Sequence, residues 1–232
     1  LLDEMDNGYF PANAKYQAVF KNPIFNAGMT GNEVRFSRPL RPEMFPEDNI
    51  LNVGDSDNGP ITGMYPTKNA LVITKARGIY LIKGDSDNGF YTETLTRDAG
   101  CVAHNSVAEL PGVGLVFLGE DGVNLLDGAL ENTGTPTRVI NLSQPIPGLM
   151  KRINRSAVVN ACGAIYHRDK EYWLAVPTLG ASVNNLILVY HYEAMAWSYR
   201  EDFPIACMLS TRDHRGYLIF GSHDSTTNPG LH

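Results

Sequence analysis

The chain has 232 residues, 43% hydrophobic and 19% charged, and a globular chain of that length buries roughly 70–75% of the surface its unfolded form exposes, enough for a core without disulfide or metal staples. Its 19 Lys and Arg against 25 Asp and Glu give a formal net charge of −6, the wrong sign for a protein that grips nucleic acid. The one short basic cluster, KRINR at 151–155, is diluted by apolar neighbours.

No stretch keeps a 3.6-residue amphipathic period over ten residues. Apolar runs of four to seven residues recur instead between Gly, Asp and Asn clusters, and their length and punctuation predict strands. In chain order they are LVIT (71–74), IYLI (79–82), LVFL (115–118), YWLAV (172–176), LILVYHY (186–192) and YLIF (217–220). Several are apolar at consecutive positions, which demands cover on both faces, as when sheets stack on one another.

The runs repeat. LVITKARGIYLIKG (71–84) and LVFLGEDGVNLLDG (115–128) share one plan of strand, Gly-ended turn, strand and closing Gly, 44 residues apart; GNEVRFS (31–37) precedes GIYLIKG (78–84) by 47. YWLAV and LILVYHY pair across PTLGASVNN, and GYLIFGS begins a fifth unit whose returning strand is missing. Periods in the 40s with several short strands per repeat are those of propeller blades. The expected fold is therefore all-β, a β-propeller of about five blade-like, four-stranded antiparallel units near 7–50, 51–98, 99–148, 149–203 and 204–232, complete or part of a larger propeller. A β-sandwich explains the strands but not the recurrence. The chain opens on LLDEMDNG without an initiator Met and stops at HDSTTNPGLH, which reads as an excerpt of a longer polypeptide. No window reaches the ~20 apolar residues of a membrane-spanning helix, and no basic segment followed by an apolar stretch marks a secretion signal.

GDSDNG occurs twice, at 54–59 and 84–89. A calcium loop of the EF type needs a bidentate Glu at position 12, which here is Pro66 or Thr96, and its Gly one place later than Gly59 or Gly89. A weak surface ion at Asp55 and Asp57, or at Asp85 and Asp87, is the remaining metal reading. A plain turn, with Asn58 or Asn88 and the Gly at positive φ, is preferred. GDS is also the nucleophile block of GDSL hydrolases, but no D-x-x-H supplies Ser56 or Ser86 with a base. DSDNGFYT (85–92) is similar to the Asp box of sialidase-like propellers, with Asp85 in place of Ser and Thr92 in place of Trp, and that box is itself a turn device.

Cys101, Cys162 and Cys207 lie far apart with no C-x-x-C pair, which predicts reduced, buried thiols. His104, His167, His191, His214, His223 and His232 show no ligand spacing, and His214 beside Asp213 predicts a polar hairpin turn. Trp173 and Trp197 are read as blade packing ahead of sugar stacking. No catalytic residue, cofactor site or metal site is expected, and the chain is read as not an enzyme.

VRFSRPLRPEMFPEDNILNVGDSDNGPITGM (34–64), LVITKARGIYLIKGD (71–85), GCVAHNSV (100–107), LVFLGEDGVNLLDG (115–128), NLSQPI (141–146) and MAWSYRED (195–202) together resemble the β-propeller proteins of tailed bacteriophages, found in tail hubs, nozzles and related virion parts. The likeness spans residues 30–225. It implies a structural virion protein acting in tail assembly and in DNA retention or passage, assembled in the bacterial host cytoplasm. Implied partners are other tail or connector proteins and copies of itself in a ring, with DNA only as passing cargo, no membrane anchor and no cofactor. Gly78, Gly122, Gly128 and the GDSDNG glycines are implied to be blade-turn positions. The competing reading is a host-surface propeller that binds or cleaves glycans.

Overall fold

The computed structural model describes residues 8, 10–29, 31–127, 138–211 and 216–222. The apolar runs between Gly, Asp and Asn clusters are strands throughout, and each strand pairs antiparallel with its neighbour in sequence. The first sheet is β1 (Tyr16–Val19), β2 (Ile24–Ala27), β3 (Glu33–Phe36) and β4 (Ile50–Asn52). The second is β5 (Ile61–Pro66), β6 (Leu71–Lys75), β7 (Gly78–Asp85) and β8 (Gly89–Thr96). The third is β9 (Ala108–Leu110), β10 (Gly114–Leu118), β11 (Val123–Asp127) and β12 (Arg138–Asn141). The fourth is β13 (Cys162–Tyr166), β14 (Glu171–Val176), β15 (Asn184–His191) and β16 (Ala196–Ile205). A two-stranded ladder of β17 (Cys207–Ser210) and β18 (Leu218–Gly221) follows.

Such meanders, one after another, are the blades of a β-propeller, and the fold class is the one expected. The hairpins foreseen from the repeat form: Lys75 faces Gly78 across the first, Leu118 faces Val123 across the second, and Val176 faces Leu186 across the third. The fifth unit differs. β18 pairs with β17, which precedes it, so GYLIFGS is the second strand of its ladder and not the first. CMLS (207–210) has only two strongly apolar positions, too few to mark a strand by pattern.

The chain divides into two units, one ending at Cys101 and one beginning at Val102. In the first, Leu71, Ile73, Tyr80 and Ile82 pack with Phe25, Val34 and other buried residues of the first sheet. Alternation along β6 and β7 sends Val72, Ile79 and Leu81 to the opposite face, where they are buried as well. In the second unit Val116, Leu118, Tyr172, Leu174, Leu186 and Leu188 belong to one cluster, and Cys162, Ala175, Ile187 and Val189 to another. The two middle strands of the second, third and fourth sheets are thus covered on both faces, which is why their sequences are apolar without a break. Each such Leu, Ile or Val contributes roughly 1.5–3 kcal/mol by leaving water.

The fourth strands behave differently. β8 and β16 run eight and ten residues, longer than most of the strands inside them, and are exposed along most of their length.

Candidate functional site

Both copies of GDSDNG are turns, built in different ways. In the first, Gly54 turns the chain out of β4 at φ 63°, Ser56–Asn58 form one 3₁₀ turn, and Gly59 leaves it at φ 78°. A Cβ on Gly54 would lie 2.3 Å from Cζ of Tyr80, so the close approach of that ring needs glycine. The Asn58 side-chain amide donates to the Tyr80 hydroxyl at 2.6 Å. The Lys75 ammonium donates to the backbone carbonyl of Asp55 at 2.8 Å and to Oδ1 of Asn32 at 2.7 Å, and it stands 5.7 Å from the centre of the Tyr80 ring. Lys75 is 0% exposed, and among the described residues no carboxylate comes within ion-pair distance of it. Burial pushes its pKa down, partly offset by the charge of Asp55. The Asp55 carboxylate itself points to solvent and lies 3.5 Å from the Arg97 guanidinium.

The second copy closes the β7–β8 hairpin, with Gly84 opposite Phe90 and Asp85 opposite Gly89. Here the aspartate side chain is the organising group. Its Oδ1 accepts from the backbone N–H of Asp87 at 3.0 Å, from that of Asn88 at 2.8 Å and from the Asn88 amide at 3.0 Å. Those bonds, Asn88's above all, hold the Asp85 carboxyl below the usual carboxylate range. Positive φ falls on Gly84 (105°) and Gly89 (86°), as on Gly54 and Gly59 in the first copy. Asn58 and Asn88, expected to share it, do not; their amides are spent on Tyr80 and Asp85, which fixes them without a left-handed backbone. Ser56 and Ser86 are exposed, Ser86 donating to the Lys21 carbonyl at 3.4 Å. Among the described residues no three His, Cys, Asp or Glu side chains are grouped to hold a metal ion.

Of the other blade-turn glycines, Gly78 lies where a Cβ would press on the Tyr80 ring at 2.9 Å, and Gly122 (φ 139°) where it would meet Oγ of Ser143 at 2.0 Å. Gly128, Asp213, His214, His223 and His232 lie outside the described residues. His104 is half-buried, and burial lowers its pKa, while His191 accepts the Ala194 N–H at 3.0 Å within its own turn and His167 is exposed.

Both tryptophans are engaged in packing. The Trp173 indole donates to Glu171 at 2.8 Å with the Arg200 guanidinium 5.0 Å from its ring, and Trp197 donates to the Leu142 carbonyl at 2.9 Å with its ring 4.8 Å from that of Tyr190. Cys101 and Cys162 are buried as expected, and burial pushes the Cys162 thiol up to about 11. Cys207 is a correction: it is exposed. β13 packs against β17, yet Met208 is the residue that shares the Cys162 cluster, so Cys207, next along the strand, turns its thiol to the other face.

The surface features missed by sequence reading are the outer strands. Tyr91 on β8 is 56% exposed, and Tyr199 and Phe203 on β16 are 53% and 42% exposed. Their sequences, GFYTETLT and AWSYREDFPI, mix aromatic and charged residues and give no clear period.

No family model matches the chain, and no curated protein matches it. Among solved structures it is similar to Hsv2 of Kluyveromyces lactis (TM-score 0.48, 10% identity, 87% of this chain and 55% of that one) and Hsv2 of Kluyvelomyces marxianus (TM-score 0.46, 10% identity, 88% and 57%). It is also similar to the extracellular domain of the one-component system BT4673 from B. thetaiotaomicron (TM-score 0.45, 11% identity, 98% and 34%). The chain spans little more than half the length of either Hsv2 chain.

Proposed function

We propose that this protein is a non-catalytic structural component of a tailed-bacteriophage virion, a hub, nozzle or connector propeller that docks other tail proteins and copies of itself around the path of the DNA. The observation that carries the docking role is the pair of long outer strands, β8 and β16, at the open edges of their sheets. Proteins ordinarily keep such edges short or blunt them with charge, because their outward N–H and C=O groups pair readily with another chain. Here the edges are long and carry exposed aromatic residues, the type enriched at interface centres, beside the charges of Glu93, Arg200, Glu201 and Asp202. The phage assignment is supported by the SRP…FP, ITG, FLGEDGV and NLSQPI segments. The acidic balance suits a wall that does not hold passing DNA, since neutralising phosphates takes Lys and Arg. Assembly would take place in the host cytoplasm, without a cofactor or a membrane anchor.

The test is genetic. Removing the gene from a phage that carries it is expected to leave heads that package DNA but to abolish infectivity, with the protein found in wild-type tails by immunogold labelling. Normal infectious particles without the protein would end this reading.

A further inference from the structure

A cleft of about 760 Å³ in the second unit lies where the segment between β12 and β13 meets the turn after β10 and the loop after β14. That volume is within the range of sites that hold small organic ligands, roughly 300–1,000 Å³. Its lining is mixed, and the side-chain acceptors of Asn141, Asn154 and Asp121 are already used. Oδ1 of Asn141 accepts the backbone N–H and the hydroxyl of Ser143, at 2.9 and 2.8 Å. Oδ1 of Asn154 does the same for Ser156, at 3.1 and 2.7 Å. The carboxylate of Asp121 is taken up by the amides of Asn124 at 2.7 Å and Asn141 at 3.3 Å.

The donors are not used up. Lys151 and Gln144 line the cleft exposed, and the side chain of neither has a hydrogen-bond or ion-pair partner among the described residues. Arg155, which is exposed, makes one side-chain bond among the described residues, a long one of 3.4 Å to the Gly119 carbonyl, which leaves most of its five N–H groups to solvent. Arg152, between them in sequence, is paired with Glu201 at 2.6 Å and does not line the cleft. A cleft whose carboxylate and asparagine acceptors are satisfied internally, and whose two exposed cations meet only solvent, suits acceptors and negative charge from outside. Pro147, Met150, Ile153 and Leu179 add an apolar floor for a carbon skeleton.

We propose that this cleft is a binding site for a multiply charged oxyanion, a phosphate- or carboxylate-bearing ligand, held by Lys151 and Arg155. Charge-assisted bonds from an ammonium and a guanidinium to one oxyanion are about twice as strong as neutral ones, so this pair would dominate the affinity. The site is distinct from the outer strands and does not depend on the virion assignment.

The test follows the methyl resonance of Met150, in protein labelled with ¹³C at its methionine methyls and assigned through Met150→Leu. Pyrophosphate and citrate are titrated separately at constant ionic strength, to roughly 10 mM, where even a weak two-cation site fills. The expected result is a saturable shift with at least one of them, the tighter of the two naming phosphate or carboxylate as the natural source. The double variant Lys151→Gln/Arg155→Gln should weaken it at least about tenfold, with an unchanged near-ultraviolet circular dichroism spectrum. Lys68→Gln, an exposed charge in the first unit, should leave it unchanged. Should the double variant unfold, Lys151→Gln alone decides, with a weakening of a few-fold expected. No saturable shift with either anion, an equal shift with sodium chloride, or full affinity in the folded variant would overturn the proposal.

Discussion

Residues 54–59 and 84–89 are letter for letter the same, yet one links two sheets and uses its backbone carbonyl, while the other closes a hairpin and uses its aspartate side chain. In the second copy the flanking strands are already in register, so the loop needs only local closure, and Asp85 supplies it by gathering three N–H groups. In the first, β4 and β5 belong to different sheets, and the loop is shaped by what lies beneath it: the Tyr80 ring and the buried Lys75 ammonium. A short sequence can specify that the chain turns. Which of its atoms do the work is decided by residues 20 or more positions away.

The difference can be broken most sharply at Lys75. Lys75→Ala strands Oδ1 of Asn32 and the Asp55 carbonyl and leaves a void under Tyr80, and is expected to cost about 3 kcal/mol, read from the urea midpoint. A loss under about 1 kcal/mol would mean that the first loop holds itself. Asn58→Ala should cost about 1 kcal/mol, one hydrogen bond to the Tyr80 hydroxyl.

Asp85→Ala should cost less than the change at Lys75, and its effect should depend on pH. Because the Asp85 carboxyl is held low in the folded chain, its contribution is complete above the unfolded value near 3.9 and fades as pH falls through the folded one. Wild type and variant should therefore converge in acid. For Lys75 the pH slope has the same sign, but here burial disfavours the charged form. Its folded pKa is lowered, so up to roughly 10.4 the unfolded chain binds the proton more tightly, and stability should rise with pH across that window in wild type but not in Lys75→Met. Smallest of all, Arg97→Ala removes an exposed pair with Asp55 and should change stability by no more than about 0.5 kcal/mol.

The inner strands were legible in the sequence because double-sided burial writes itself as unbroken apolar runs: LVIT, LVFL and LILVYHY all lie in middle strands. β8, β16 and β17 were not. One face or both is wet, so Thr, Glu, Arg and Tyr intermingle and the two-residue period fades. Lys75 shows a second kind of silence. At the end of LVITK it looks like a charge stepping into water, and nothing local reveals that Asn32, 43 residues earlier, waits to receive it. The donor-rich cleft was half visible, as KRINR, but the sequence could not tell that Glu201 would take Arg152 out of that cluster and leave Lys151 and Arg155 lining one cleft.

The open rim of β16 also bears on how such a protein diverges. Main-chain pairing along an exposed strand recognises extension and spacing, not the identity of side chains. Under the docking role proposed here, a neighbour attached along the regular part of β16, up to Glu201, would exchange most of its residues without losing its seat, provided it still offered a straight segment, while Tyr199 would set how firmly it stayed.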